Sequence, residues 1–122
     1  MYVTEEVTRG PDMRFAFVSK KLERQLSDAK AMARAFGQRA KPLQRRLDTL
    51  KQVHCLADVP KGPPDRCHQL SEDRDERFAV DLTRNWRLEF EPDHVPIPRK
   101  PDGGINEQEV TAIRLLGVVD YH

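Results

Sequence analysis

The spacing of apolar residues changes along the chain between the two-residue period of a strand and the 3.6-residue period of a helix. Residues 13–18 are dense in aromatic and branched side chains, which predicts a short first strand. Ser19 follows as a good N-cap, and apolar residues then recur every three or four positions. This stripe predicts one amphipathic helix from Lys20 to its end at Gly37, with the apolar positions Leu22, Leu26, Ala29, Ala33 and Phe36.

The same helical spacing resumes near Pro42, a residue that is tolerated in the first turn of a helix. Leu43, Leu47 and Leu50 continue it, and the helix is expected to end near Val53 or His54. Together with the first helix it predicts a helical hairpin whose outer faces are rich in lysine and arginine.

Two segments in the second half alternate between apolar and polar residues and predict an antiparallel hairpin. These are residues 77–82 and 86–91, with a turn at 83–85 between them. The apolar face is expected to pack on the helices, and Trp86 is expected to belong to the core. The polar face, with Arg87, is expected to face outward.

The most apolar segment is the last one, residues 110–122. Simple alternation places Ile113, Leu115, Val119 and Tyr121 on one face, with apolar residues also on the other face, as in a central strand that is buried on both sides. The strand carries Tyr121 and His122 to the end of the given sequence, and both side chains can take part in proton transfer.

The remaining segments are connections. Residues 56–76 and 92–109 are rich in proline and glycine and are expected to be long loops, the first with little regular structure. Residues 1–12 are interpreted as a tail or a marginal edge strand, and residues 13–122 as a single domain. The predicted fold class is α+β, with an N-terminal strand and a helical hairpin packed on a mainly antiparallel sheet of about four strands.

Composition excludes several classes of protein. No apolar run approaches the roughly 20 residues of a membrane helix, and the first ten residues do not resemble a signal peptide, so a soluble, cytoplasmic protein is expected. Cys55 and Cys67 are the two cysteines, and their spacing indicates neither a disulfide framework nor a metal site. We therefore expect no metal and no cofactor.

The net charge of +1 is unevenly distributed. Residues 13–55 carry eleven lysines or arginines against three acids, whereas residues 56–122 carry nine against fourteen. Such a basic half is typical of contact with nucleic acid or with an acidic protein, although a solvated helix face is about as common on charge alone. The basic residues that we expect to contact nucleic acid are Arg39, Lys41, Arg45 and Arg46 in this half, with Arg74 and Arg77 beyond it.

Three short motifs follow one another in the second half of the chain: RCHQL, NWRLEFEP and VVDYH. With the preceding strand and basic helical hairpin, they resemble the HigB-type toxins of the RelE superfamily. The similarity extends over residues 13–122, and the loop that contains KPDGG resembles a longer-loop branch of the family. None of the motifs is specific alone, but their order and spacing together make coincidence improbable.

The resemblance implies a RelE-like fold and a ribosome-dependent messenger-RNA endoribonuclease that works without a metal. It also implies a helix-turn-helix antitoxin of the HigA type as partner, with operator DNA contacted only through that antitoxin. The site residues implied are His68, Arg87, Tyr121 and His122. Imidazoles transfer protons near neutral pH, and a guanidinium offers paired donors to a phosphate.

This sequence departs from the family pattern at one position. The family usually has a lysine three residues after the motif histidine, where this chain has Ser71, and acidic residues follow it. Either Arg66, Arg74 or Arg77 substitutes for the missing charge, or the enzyme is slow, or the ribonuclease activity has been lost. The alternative function is a non-catalytic binding module of the same fold that has lost cleavage, and a ribonuclease that acts without the ribosome is a third, weaker hypothesis.

Overall fold

A computed structural model describes residues 12–71 and 76–121 of the chain. Within these residues the fold is α+β, with three α-helices on a five-stranded mixed sheet. The helices are α1 (Lys20–Ser27), α2 (Ala29–Phe36) and α3 (Ala40–Gln52). The strands are β1 (Arg14–Phe17), β2 (His68–Gln69), β3 (Phe78–Asp81), β4 (Trp86–Pro92) and β5 (Ala112–Asp120).

The strand order in the sheet is β1-β5-β4-β3-β2. β5 lies between β1 and β4, which confirms the prediction of an interior terminal strand. It pairs in parallel with β1, while the other three pairings are antiparallel. The prediction of about four strands missed β2, a two-residue strand that pairs with β3 inside the segment expected to be irregular.

The predicted first helix is wrong in one respect, because it is broken at Asp28. This residue has an extended backbone (φ −130°, ψ 125°), and its carboxylate accepts a 2.9 Å hydrogen bond from the amide of Ala31, which caps α2. The break changes the face that α2 presents to the core. Met32 is buried, while Ala29 and Ala33, which were expected in the stripe, are exposed.

One face of the sheet and the apolar sides of the helices form the core. The predicted hairpin of β3 and β4 is confirmed, and its turn is closed by a 2.9 Å bond from the Leu82 amide to the Trp86 carbonyl. The Phe78 and Phe90 rings stack at 5.9 Å across the two strands. Side chains of the core include Leu22, Leu26, Leu43, Leu47, Leu50, Val80, Leu88, Ile113 and Leu115.

A β-bulge in β5 decides which of its residues lie on the sheet face that points away from the helices. Phe90 pairs with Leu115 but Glu89 pairs with Gly117, so Leu116 is an extra residue on β5. The alternation therefore reverses after the bulge, and Val119 lies opposite Arg87 rather than on the core face with Leu115. The predicted grouping of Ile113, Leu115, Val119 and Tyr121 on one face is wrong for this reason.

The long loop of residues 92–109 has internal pairing. Arg99 and Ile105 form an isolated β-bridge, and Nε2 of His94 accepts a 3.1 Å hydrogen bond from the Thr111 amide. None of the helices in the described part of the chain has both the length and the apolar character of a membrane span. Apart from Asp12, the predicted N-terminal tail lies outside the described residues.

Candidate active site

Three of the four predicted site residues meet on the sheet face opposite the helices. His68 comes from β2, Arg87 from β4, and Tyr121 directly follows β5. Nη1 of Arg87 lies 3.4 Å from Nε2 of His68, and the guanidinium carbon lies 4.3 Å from the centroid of the Tyr121 ring. Because the residues are far apart in sequence, the pairing of four strands brings them together.

The hydrogen bonds of His68 define its tautomer. Nδ1 lies 2.8 Å from the carbonyl oxygen of Arg66, which can only accept, so Nδ1 carries the proton. Nε2 faces a guanidinium N–H of Arg87, which can only donate. In this tautomer the lone pair is on Nε2, where it faces Arg87, and an imidazole nitrogen with a lone pair can accept a proton from a substrate.

Asp81 anchors Arg87 from the neighbouring strand. The two residues are directly opposite in the β3–β4 register, and Nε of Arg87 lies 3.3 Å from Oδ1 of Asp81. Both atoms are buried and lack a well-aligned hydrogen bond within residues 12–71 and 76–121, so this contact is an electrostatic pairing. Nε of Arg66 lies 3.5 Å from the other Asp81 oxygen. Asp81 thus holds one edge of the Arg87 guanidinium while Nη1 faces His68.

Glu89 is a second carboxylate on this face, and it is only 3 % exposed. It accepts a hydrogen bond from the hydroxyl of Tyr121, and its other oxygen lies 3.9 Å from Nη1 of Arg77. Tyr121 therefore contacts a buried anion at its hydroxyl and a cation, Arg87, at its ring face. Both contacts restrict its orientation.

The basic residues predicted to bind RNA have different environments. Lys41 and Arg45 are exposed on α3, and Arg77 is exposed beside Glu89. Arg39 is partly buried, with its guanidinium over the ring of Trp86.

Arg46 requires a correction, because it is 5 % exposed and faces inward. Its Nε donates a 2.7 Å hydrogen bond to the carbonyl of Asp81 and lies 3.3 Å from the Asp65 carboxylate. This arginine supports the strand that carries Asp81 and is not available to RNA.

His122 and Arg74 lie outside the described residues, so their predicted roles stay predictions. Arg66 and Arg77 are the other two residues suggested to replace the charge missing at Ser71. Both belong to the ion pairs around Arg87 and Tyr121.

Sequence reasoning did not assign a role to Asp81 or Glu89. The signal was present, because alternation along β3 and β4 puts both carboxylates on the same face as Arg87.

Comparison with protein-family models gave no match for this chain, and a search of curated proteins likewise gave none.

Proposed function

We propose that the protein is a metal-independent endoribonuclease, the toxin of a toxin-antitoxin pair, which cleaves messenger RNA on the ribosome. The observation that carries the proposal is the 3.4 Å approach of Arg87 Nη1 to the lone-pair nitrogen of His68. A proton acceptor beside a guanidinium is the pair of groups that phosphodiester cleavage needs. The resemblance to HigB-type toxins of the RelE superfamily, with a RelE-like fold, supports the same proposal.

In the proposed reaction the ribose 2′-oxygen attacks the adjacent phosphorus. A bond forms between these atoms while the bond from phosphorus to the 5′-oxygen breaks, which leaves a 2′,3′-cyclic phosphate and a 5′-hydroxyl. Nε2 of His68 takes the proton of the 2′-hydroxyl. A second group must protonate the leaving 5′-oxygen, and His122, which follows Tyr121 directly, is the proposed donor.

Arg87 would bind the non-bridging oxygens of the scissile phosphate. A guanidinium has five N–H donors, and in this site Asp81 and His68 face only part of them. The remaining donors can stabilise the charge that develops on the phosphate. Tyr121 keeps the guanidinium plane in place through its ring, and Arg66 and Arg77 are the proposed substitutes for the lysine absent at Ser71.

One observation favours the alternative, a non-catalytic binding module. Asp81 and Glu89 partly neutralise the three arginines of the site, which weakens its attraction for RNA. Under this hypothesis the fold binds an antitoxin or nucleic acid without cutting it. Under the main proposal the partners are the ribosome, messenger RNA and a helix-turn-helix antitoxin.

The test is to express the chain without a partner and to map the 5′ ends of cellular RNA. We expect growth arrest and new ends inside translated frames, and we expect both to disappear in His68→Ala and Arg87→Ala. His54→Ala is the matched control, since His54 is exposed at the end of α3 and outside the site, and it should cleave normally. Growth arrest with intact transcripts would support the binding module instead.

A further inference from the structure

Arg39 and Trp86 form a stacked pair at the edge of the core, on the opposite side of β4 from Arg87. The guanidinium carbon of Arg39 lies 3.8 Å from the centroid of the Trp86 ring. Trp86 is only partly buried where it packs against the core. Nε of Arg39 is buried and has no hydrogen-bond partner among the described residues, which is an unfavourable state for a donor. Trp86 is thus more exposed than the sequence predicts for a core residue. The Nε–H group of Arg39 is a donor that has no acceptor among the described residues.

A pocket of about 260 Å³ adjoins this pair. It is lined by Gln38, Arg39, Pro42, Thr83, Arg84 and Trp86. Arg84 is at the tip of the β3–β4 turn with a left-handed backbone (φ 54°), and its side chain is exposed. The lining therefore combines one aromatic ring and two cations with an amide and a hydroxyl, which can donate and accept hydrogen bonds.

We propose that this pocket binds one nucleotide of a single-stranded RNA whose scissile phosphate lies on the other face of β4. This inference rests on the proposed function. The base stacks on the outer face of the Arg39 guanidinium, extending the stack that begins with Trp86, and Arg84 pairs with the nucleotide's phosphate. Unpaired bases commonly stack on aromatic rings and on guanidinium planes, whereas bases in a duplex are already stacked on each other.

The position of the pocket relative to the active site supports this assignment. Trp86 and Arg87 are consecutive in β4, so their side chains leave the strand on opposite faces. The amide of Tyr121 donates a 2.9 Å hydrogen bond to the Asn85 carbonyl, which joins the end of the chain to the same turn. An RNA strand that crosses this turn can therefore contact Arg87 on one side and Arg39 on the other.

The binding can be measured separately from cleavage, because Trp86 is the only tryptophan and its fluorescence reports on the pocket. The probe is a 2′-O-methyl RNA of about eight nucleotides, which cannot be cut because its 2′-oxygen carries no proton. Titrated into the full chain at fixed low salt, it should change the fluorescence saturably. A duplex of the same sequence should bind at least about tenfold more weakly. Absence of a saturable change with the single strand would overturn the proposal.

Substitutions at the pocket show which residues bind the RNA. Arg39→Ala and Arg84→Asn should each weaken binding by about tenfold, since asparagine tolerates the left-handed backbone. Arg34→Ala removes an equal charge from the exposed side of α2 and should have an effect below about twofold. If Arg39→Ala does not fold, Arg39→Lys keeps the charge without the planar stacking surface and should also bind more weakly. Unchanged affinity in the folded Arg39 variant would contradict the assignment.

His68→Ala separates this inference from the proposed function. It should lose cleavage but keep the fluorescence response, because His68 does not line the pocket. A chain that never cleaves RNA but responds normally to the probe would contradict the proposed function alone. A chain that cleaves RNA with unaltered efficiency in Arg39→Ala and Arg84→Asn would contradict the pocket alone.

Discussion

The hydroxyl of Tyr121 donates its hydrogen bond to the buried carboxylate of Glu89, a residue on the adjacent strand β4. The same tyrosine ring lies 4.3 Å from the guanidinium carbon of Arg87. Glu89 also has Arg77 at 3.9 Å. The orientation of Tyr121, and with it the position of Arg87, thus depends on a carboxylate that lies beneath the site.

Tyr121→Phe tests this dependence. The variant keeps the ring under Arg87 but leaves the Glu89 carboxylate without one hydrogen-bond donor in a buried position. We expect the free energy of unfolding to fall by about 1–3 kcal/mol in urea titrations, with less loss of cleavage than in His68→Ala. Glu89→Gln keeps an acceptor for the hydroxyl and serves as comparison. Equal stability of Tyr121→Phe and the parent chain would show that the bond adds nothing to stability.

Arg46→Ala should destabilise the fold strongly. The side chains of Arg46 and Asp65 are 6 % and 8 % exposed, so the variant leaves a carboxylate buried without its cation. Removal of one partner of such a pair costs about 3–5 kcal/mol. Arg45→Ala, at the adjacent exposed position, should change the unfolding free energy by about 0.5 kcal/mol or less. Similar values for the two variants in urea unfolding would refute the structural role of Arg46.

Gly117→Ala tests the bulge that orients the end of β5. Gly117 has φ 155° and pairs with Glu89, and an added Cβ would meet no atom of the described part of the chain within 4 Å. The cost is therefore backbone strain, about 1–3 kcal/mol. Gly62→Ala is the matched control, because the space there is equally open and no positive φ is present. Thermal unfolding of both variants should show a clear loss for Gly117→Ala only.

The thiol of Cys67 should make stability depend on pH in the alkaline range. Burial raises its pKa from 9.0 to about 11, so the unfolded chain releases this proton before the folded chain does. The contribution to stability is complete below about pH 9 and is lost as the pH rises towards 11, up to about 3 kcal/mol at 1.36 kcal/mol per pKa unit. Cys67→Ala should show a weaker fall in unfolding free energy over this range. Parallel curves for the two proteins would exclude this cause.

Local patterns were sufficient for much of the fold. The β3–β4 hairpin, the interior position of β5 and the Ser19 cap of α1, which accepts a 3.1 Å bond from Leu22, all agree with the predictions. Each depends on periodicity or on a hydrogen bond within three residues, and such interactions can be identified in the sequence itself. The order of the motifs identified His68, Arg87 and Tyr121 as site residues. The pairing of the strands in the sheet places them close together.

The sequence by itself determined the α+β class, the order of most elements and the apolar faces of the β3–β4 hairpin. Only the tertiary structure decided the break at Asp28, the bulge at Leu116 and the burial of Arg46. Aspartate is compatible with a helix or a cap, and the alternation of a strand that is apolar on both faces does not show where a bulge falls. Arg45 and Arg46 are neighbours of the same residue type, and only the packing of α3 against Asp65 and Asp81 distinguishes the exposed side chain from the buried one.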